Sequence, residues 1–399
     1  MKCKQPRTKD KMLPAWRRWM MATAATGMIM LTGMSAPGES TVQAEESIPL
    51  PQRDRKIVLY VSDRADLGLT DEMVQNVDQI NYAFALLKDG EATDSHWQGE
   101  GKISAYLKKH SHIDGVMAVG GWGAEGFSDA CATADGRRKL ADSILKLMDK
   151  HGFVGVDIDW EYPGSSAAGI VSRDDDVENW YQLLKLLRQG LDARQQAQGR
   201  SYFLSVALGA GEEHLRAVDG KRLNTLVDQA VVMAYDLKGF DRLTGHHAGL
   251  YPDGKTKTSG AYAVRQLTAS GLEAKKILLG IPAYGRMWRQ AYSEGNGLNV
   301  HAATSGNKTL TYPELQALED KGYRRYYDET AQAAWWYDGS SFVSGENEQS
   351  VKAKAEYLRD NGLGGAAVWA QYHDPSGELL DMLNAVLSDQ SGGGNAKTQ

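Results

Sequence analysis

Apolar, β-branched runs recur along the chain, separated by stretches whose apolar residues return with helical spacing. Eight runs read as strands: Lys56–Ser62, Gln79–Leu86, Val116–Gly120, Phe153–Trp160, Tyr202–Leu208, Ala230–Tyr235, Lys276–Pro282 and Gly364–Trp369. Segments such as IVLYV, VVMAY, ILLGI and AAVWA are almost continuously apolar, as parallel strands buried on both faces must be. Between them, Arg137–His151 sets Leu140, Ile144, Leu147 and Met148 on one stripe and stops at Gly152, and Asp176–Gln198 is a second long helix. Strands alternating with helices predict an α/β fold, and eight of them over this length predict a closed (β/α)8 TIM barrel rather than an open doubly wound sheet. About 65 residues separate the seventh strand from the helix before the eighth, too many for a structureless loop. Thr311-Tyr312 opens a helix there, and Trp335-Trp336-Tyr337 and Ser341-Phe342-Val343 read as strands, so a small α+β subdomain is expected at 289–350, between strands seven and eight.

The first 44 residues break this pattern. Seven basic residues precede or flank an apolar run from Trp19 to Leu31, too short to span a bilayer comfortably, and Val42-Gln43-Ala44 resembles a cleavage site. Residues 1–44 are therefore expected to be a signal peptide, 45–388 the barrel with its insertion, and the Gly-rich 389–399 a disordered tail, in a secreted, extracellular protein. Without the leader, 38 Lys and Arg face 49 Asp and Glu, a net charge of −11 that disfavours nucleic acid and suits a neutral substrate. Of the two cysteines, Cys3 lies in the leader, so Cys131 has no partner for an internal disulfide. The histidines are scattered without metal-ligand spacing, and no phosphate loop occurs, so no metal or cofactor is expected.

The fourth run reads Phe153-Val-Gly-Val-Asp157-Ile-Asp159-Trp-Glu161-Tyr-Pro163, with carboxylates at alternate positions. A period of two puts all three on one face, which in a barrel strand is the interior. Acids there are costly unless hydrogen-bonded or protonated, so a structural role explains them poorly. Glu161 falls last, at the carboxyl end where active sites of this fold are built. Crowding raises at least one pKa. A Glu held protonated near neutral pH can deliver its proton to a glycosidic oxygen, a contribution typically worth about 10² to 10⁴ in rate.

This segment resembles the DxxDxDxE signature of glycoside hydrolase family 18, which the family's chitinases continue as WEYP. Asn81–Ala85 is similar to the family's NYAFA, Gly120-Gly121-Trp122 to its GGW, Met233-Ala-Tyr235-Asp236 to its MxYD and Gly285-Arg286 to its YGR segment, while Gly364–Trp369 matches its last strand. The resemblance covers essentially the whole chain beyond the leader. It implies a bacterial-type chitinase that hydrolyses β-1,4-linked N-acetylglucosamine polymers or oligomers with retention, the substrate's own N-acetyl oxygen attacking the anomeric carbon to form an oxazolinium intermediate. By the same resemblance Glu161 protonates the leaving oxygen and then activates water, Asp159 orients the N-acetyl group, Asp157 shares a proton with Asp159, and Tyr235 completes the catalytic set. Tyr60, Phe84, Trp122, Met233, Asp236, Arg286 and Trp369 form the expected substrate-binding set, with Trp369 flooring the cleavage subsite. Met233 and Tyr235 also read as plain core, and Arg286 as a surface salt bridge. Trp335 and Trp336 suit either a cleft wall or a subdomain core. The implied partner is chitin or its oligosaccharides, bound by a monomer that meets neither nucleic acid nor, after leader removal, a membrane.

Two positions depart from the family pattern: Val154 stands in place of the first Asp of DxxDxDxE, and Ala118 in place of a Ser that typically hydrogen-bonds the innermost carboxylate. Tyr60 is then the expected remaining partner of Asp157. A non-catalytic lectin is one alternative, but such relatives typically replace the Glu, and Glu161 is present. An endo-β-N-acetylglucosaminidase acting on glycans or peptidoglycan is the other, disfavoured by WEYP, MxYD and the insertion.

Overall fold

A computed structural model describes residues 54–99 and 101–388; the expected leader at 1–44 and tail at 389–399 lie outside the described residues. Eight parallel strands close a barrel: Lys56–Ser62, Gln79–Lys88, Asp114–Gly120, Gly155–Asp159, Phe203–Gly209, Gln229–Met233, Ile277–Pro282 and Gly365–Trp369. Each pairs with its neighbours in chain order, and the first pairs with both the second (Val58 opposite Gln79) and the last (Lys56 opposite Gly365), which removes any open edge.

The fourth ladder ends at Asp159 and the sixth at Met233, so Trp160 and Tyr235, the last residues of the predicted runs, lie beyond the observed strands, as do Glu161 and Asp236. Hydropathy overextends strands here because residues at the mouth stay buried after the hydrogen-bonded ladder has stopped. The helices follow their predicted stripes. In Ala134–His151 the Thr133 side chain caps the start, Gly152 at φ 74° closes the end, and Leu140, Ile144, Leu147 and Met148 are buried. The main apolar core lies between strands and helices, whereas the barrel interior holds a small cluster including Val58, Tyr60, Ala118, Val231 and Leu278. A polar chain crosses that interior, from Gln229 Nε2 to Gln79 Oε1 (3.0 Å) and from Gln79 Nε2 to Asn81 Oδ1 (2.7 Å).

Between the seventh and eighth strands stands a five-stranded antiparallel sheet, ordered Lys308–Thr311, Tyr284–Arg289, Ser341–Gly345, Ala333–Tyr337, Arg324–Asp328. It starts at Tyr284, ahead of position 289, because only Ala283 separates the seventh barrel strand from it. The Tyr284-Gly285-Arg286 segment is therefore subdomain strand, not barrel loop. Trp335 packs with Trp288 and Phe342, and Trp336 joins the main core; both are buried, so they fill cores rather than pave a wall. Among the described residues no helix is long and apolar enough to cross a membrane.

Candidate active site

Strand pleating turns Asp157 and Asp159 into the barrel and delivers Glu161 to its mouth, past the last ladder bond. Asp157 is fully buried: its Oδ2 accepts from the Tyr60 hydroxyl at 2.9 Å and its Oδ1 from the Ser205 hydroxyl at 2.6 Å. Burial pushes its carboxyl up, while the donors Ser205, Tyr60 and Asn81 pull the other way. Asp159 has no such support. Burial, then the Glu161 and Asp157 charges, drive its carboxyl well above the usual range, and its Oδ1 is buried without a hydrogen-bond partner. When this pair shares one negative charge, the donors favour Asp157 as the anion and leave the proton on Asp159. Glu161 is pushed up to about 7, chiefly by burial, with Asp236 adding repulsion and Tyr162 opposing. A protonated carboxyl thus faces the cleft at mildly acidic pH.

Across the mouth, Asp236 takes φ 56°, a left-handed conformation uncommon outside glycine, and forms a bidentate pair with Arg286 at 2.7 and 2.5 Å. His247 Nδ1 lies 3.6 Å from the same carboxylate. Burial works against ionisation of Asp236, but the His247 and Arg286 contacts outweigh it and hold the carboxyl well below the usual range. One carboxyl is therefore kept protonated and a second kept charged on the same cleft, the separation of roles that acid–base chemistry needs.

The cleft, about 840 Å³, is lined by both groups of acids and by aromatic rings. Trp369 lies in it, stacked on Phe84 at 5.6 Å and braced edge-on by Tyr60 at 5.5 Å. At another part of the rim Trp122 and Phe240 stack at 6.1 Å and 21° while remaining 55% and 64% exposed. Arg286 lies 5.5 Å from the Phe240 centroid and Tyr162 meets Trp122 edge-on at 6.5 Å, yet paired rings this exposed suit the apolar faces of a sugar chain. Among the described residues no cluster of three His, Cys, Asp or Glu is arranged to hold a metal ion.

Residues 56–374 match the family model for glycosyl hydrolases family 18. The chain belongs to that family. It is 33% identical to chitinase A1 of Niallia circulans over 72% of this chain and 44% of that one, and 31% identical to chitinase 1 of Aphanocladium album over 66% and 62%. It thus spans less than two thirds of the length of these two relatives. Its fold superposes on a family 18 N-acetylglucosaminidase from Paenibacillus barengoltzii with a TM-score of 0.80, at 32% identity, covering 84% of this chain and 100% of that one.

In this family 18 cleft the structure gathers Asp159, Glu161, Tyr235, Asp236, Met233, Arg286, Phe84, Trp122 and Trp369 along one surface. Tyr60 and Asp157 do not line it. They lie beneath the floor, where Tyr60 holds Asp157 and supports Trp369 rather than meeting a ligand. Trp160, next to Glu161 in the chain, is buried and stacks on Phe127 at 5.1 Å. Sequence reasoning missed Phe240, Tyr284, Tyr372 and His373, all on the cleft, and Ser205 below it. His373 is pushed down to about 4, by burial first and then by Arg64 and Arg286, so it is neutral near pH 7. Ser205 left a signal: it is the one hydroxyl inside the apolar run Phe203–Gly209, at a position pointing to the barrel interior. A second hollow of about 450 Å³ lies behind the stacked Tyr162 and His214 rings, lined by Trp160 and Trp180.

Proposed function

We propose that the protein is a secreted chitinase, hydrolysing β-1,4-linked N-acetylglucosamine chains with retention of configuration. The observation that carries this reading is Glu161, raised to about 7 on the cleft that Asp159, with its unpaired Oδ1, and Trp369 also line. Glu161 protonates the glycosidic oxygen. The N-acetyl oxygen of the sugar seated on Trp369 attacks the anomeric carbon, Asp159 and Tyr235 hold the N-acetyl group in line, and the resulting oxazolinium ion is opened by water that Glu161 then deprotonates. Asp157 keeps a negative charge below Asp159 and balances the positive charge that develops above it. Asp236, fixed by Arg286, steadies the sugar from the opposite wall. The leader at 1–44 supports export, and the acidic net charge suits a neutral polymer.

The test is the initial product mixture from a chitin hexamer, resolved by anomer. Retention requires the β-anomer at the newly formed reducing end; an initial excess of the α-anomer would overturn the substrate-assisted route. Release of single sugars from a chain end would instead assign the N-acetylglucosaminidase activity named for the Paenibacillus structure.

Activity should also depend on pH in a defined direction. A general acid must carry its proton, so kcat is expected to fall as pH rises through about 7, the value to which burial lifts Glu161. For the exposed pair, Phe240→Ala is expected to raise KM for the hexamer about fivefold, the worth of one ring stack, with kcat within about twofold. An unchanged KM would remove Trp122 and Phe240 from the path of the chain.

A further inference from the structure

Ala118 on the third barrel strand and Ser205 on the fifth are both in register with Asp157 on the fourth. Ala118 offers no donor. Ser205 does: it is 1% exposed, and its hydroxyl lies 2.6 Å from Asp157 Oδ1, while Tyr60 occupies Oδ2 at 2.9 Å. Each carboxylate oxygen therefore has one buried hydroxyl donor, with the Asn81 amide a third and weaker neighbour, and neither hydroxyl lines the cleft. The polar and titratable groups facing Asp157 are Tyr60 from the first strand, Asn81 from the second, Ser205 from the fifth, and Asp159 on its own strand; Tyr235 interacts with Tyr60 from beyond the sixth, and Glu161 with Asp159.

We propose that Ser205 is a positioning residue for catalysis: its hydroxyl fixes the innermost carboxylate, Asp157, as the anion and so keeps the shared proton on Asp159. The inference rests on the chitinase reading and adds a residue to it. An O–H donor to a carboxylate in a dry interior is among the stronger hydrogen bonds a protein makes. Removing it disfavours the anion at Asp157. One proton then moves from an Asp159 oxygen to an Asp157 oxygen with no net change in charge, and Asp159 carries its negative charge directly beside Glu161. Asp159 then has no proton left to give and its charge faces the Glu161 carboxyl, although the cleft surface is unchanged.

The experiment is the kcat and KM profile against pH for the wild type, Ser205→Ala, and the double variant Ala118→Ser with Ser205→Ala, on chitin oligomers. For Ser205→Ala, kcat is expected to fall about tenfold, the loss of one charge-assisted hydrogen bond, with KM within about twofold. Its acid limb should move up by about one pH unit, because the loss of a donor raises the pH at which Asp157 ionises. The double variant returns a hydroxyl to Asp157 from the opposite neighbouring strand and should recover most of kcat and the original limb. An acid limb that stays in place in Ser205→Ala, whatever its melting temperature, assigns Ser205 to packing alone and overturns the proposal. So does a double variant as impaired as the single one. Should Ser205→Ala fail to fold, the double variant decides by the same two readouts. Absence of hydrolysis by the wild type sinks the chitinase reading itself, an outcome separate from a normal wild type with an unaffected Ser205→Ala.

Discussion

Glu161→Gln is expected to lower turnover of chitin oligomers about 10³-fold while leaving their binding close to wild type. Glutamine keeps the shape and volume of the side chain but carries no transferable proton, and the rings and amide-binding groups of the cleft remain in place. The same substitution should stabilise the protein, with a sign set by pH. Folding lifts the Glu161 carboxyl from 4.5 to about 7, chiefly by burial, so between those values the folded state holds a proton that the unfolded chain has released. Stability contributed by that proton is fully present below pH 4.5 and lost as pH rises through about 7. Above that point the ionised carboxylate costs the wild type about 3 kcal/mol that the amide does not. Thermal unfolding should therefore show Glu161→Gln melting several degrees above wild type at pH 8, with the two converging at pH 4. Turnover within tenfold of wild type would mean that another group donates the proton.

The sequence made the catalytic strand legible because three acids at period two have no ordinary place inside a barrel. The eight apolar runs named all eight barrel strands for a related reason: strands buried on both faces cannot hide their composition. Strand ends were less visible, since burial at the mouth outlasts hydrogen bonding. The start of the subdomain was placed late because Tyr284-Gly285-Arg286 follows the seventh strand after a single residue, leaving no turn to read. Tyr60 was grouped with ligand-binding residues by family resemblance, which does not give its depth, while its expected bond to Asp157 is the contact it makes. Phe240 escaped notice for another reason. A lone aromatic in a loop has no period, and only its 6.1 Å stack on Trp122 gives it meaning.

Lys354→Met is expected to destabilise the protein by about 3–5 kcal/mol, although position 354 lies outside the cleft. Lys354 and Glu346 are each 1% exposed and form an ion pair where the subdomain returns to the barrel: Glu346 follows the strand Ser341–Gly345, and Lys354 sits in the helix Glu348–Asp360. The other oxygen of Glu346 accepts from the Ser350 hydroxyl at 2.5 Å, and Ser350 in turn exchanges bonds with Asn347, the residue that caps the helix. Removing the lysine alone leaves a carboxylate in the core with one hydroxyl for company, and that uncompensated charge, rather than the lost attraction, is the main cost. A drop in melting temperature of roughly 10 °C is the expected reading. Glu346→Leu combined with Lys354→Met removes both charges and leaves Ser350 its bond to the Asn347 carbonyl at 3.1 Å, so the double variant should regain most of the loss. A single variant melting within about 2 °C of wild type would show that the pair is not needed to hold the subdomain's exit, and a double variant less stable than the single would show that Glu346 acts through partners other than Lys354.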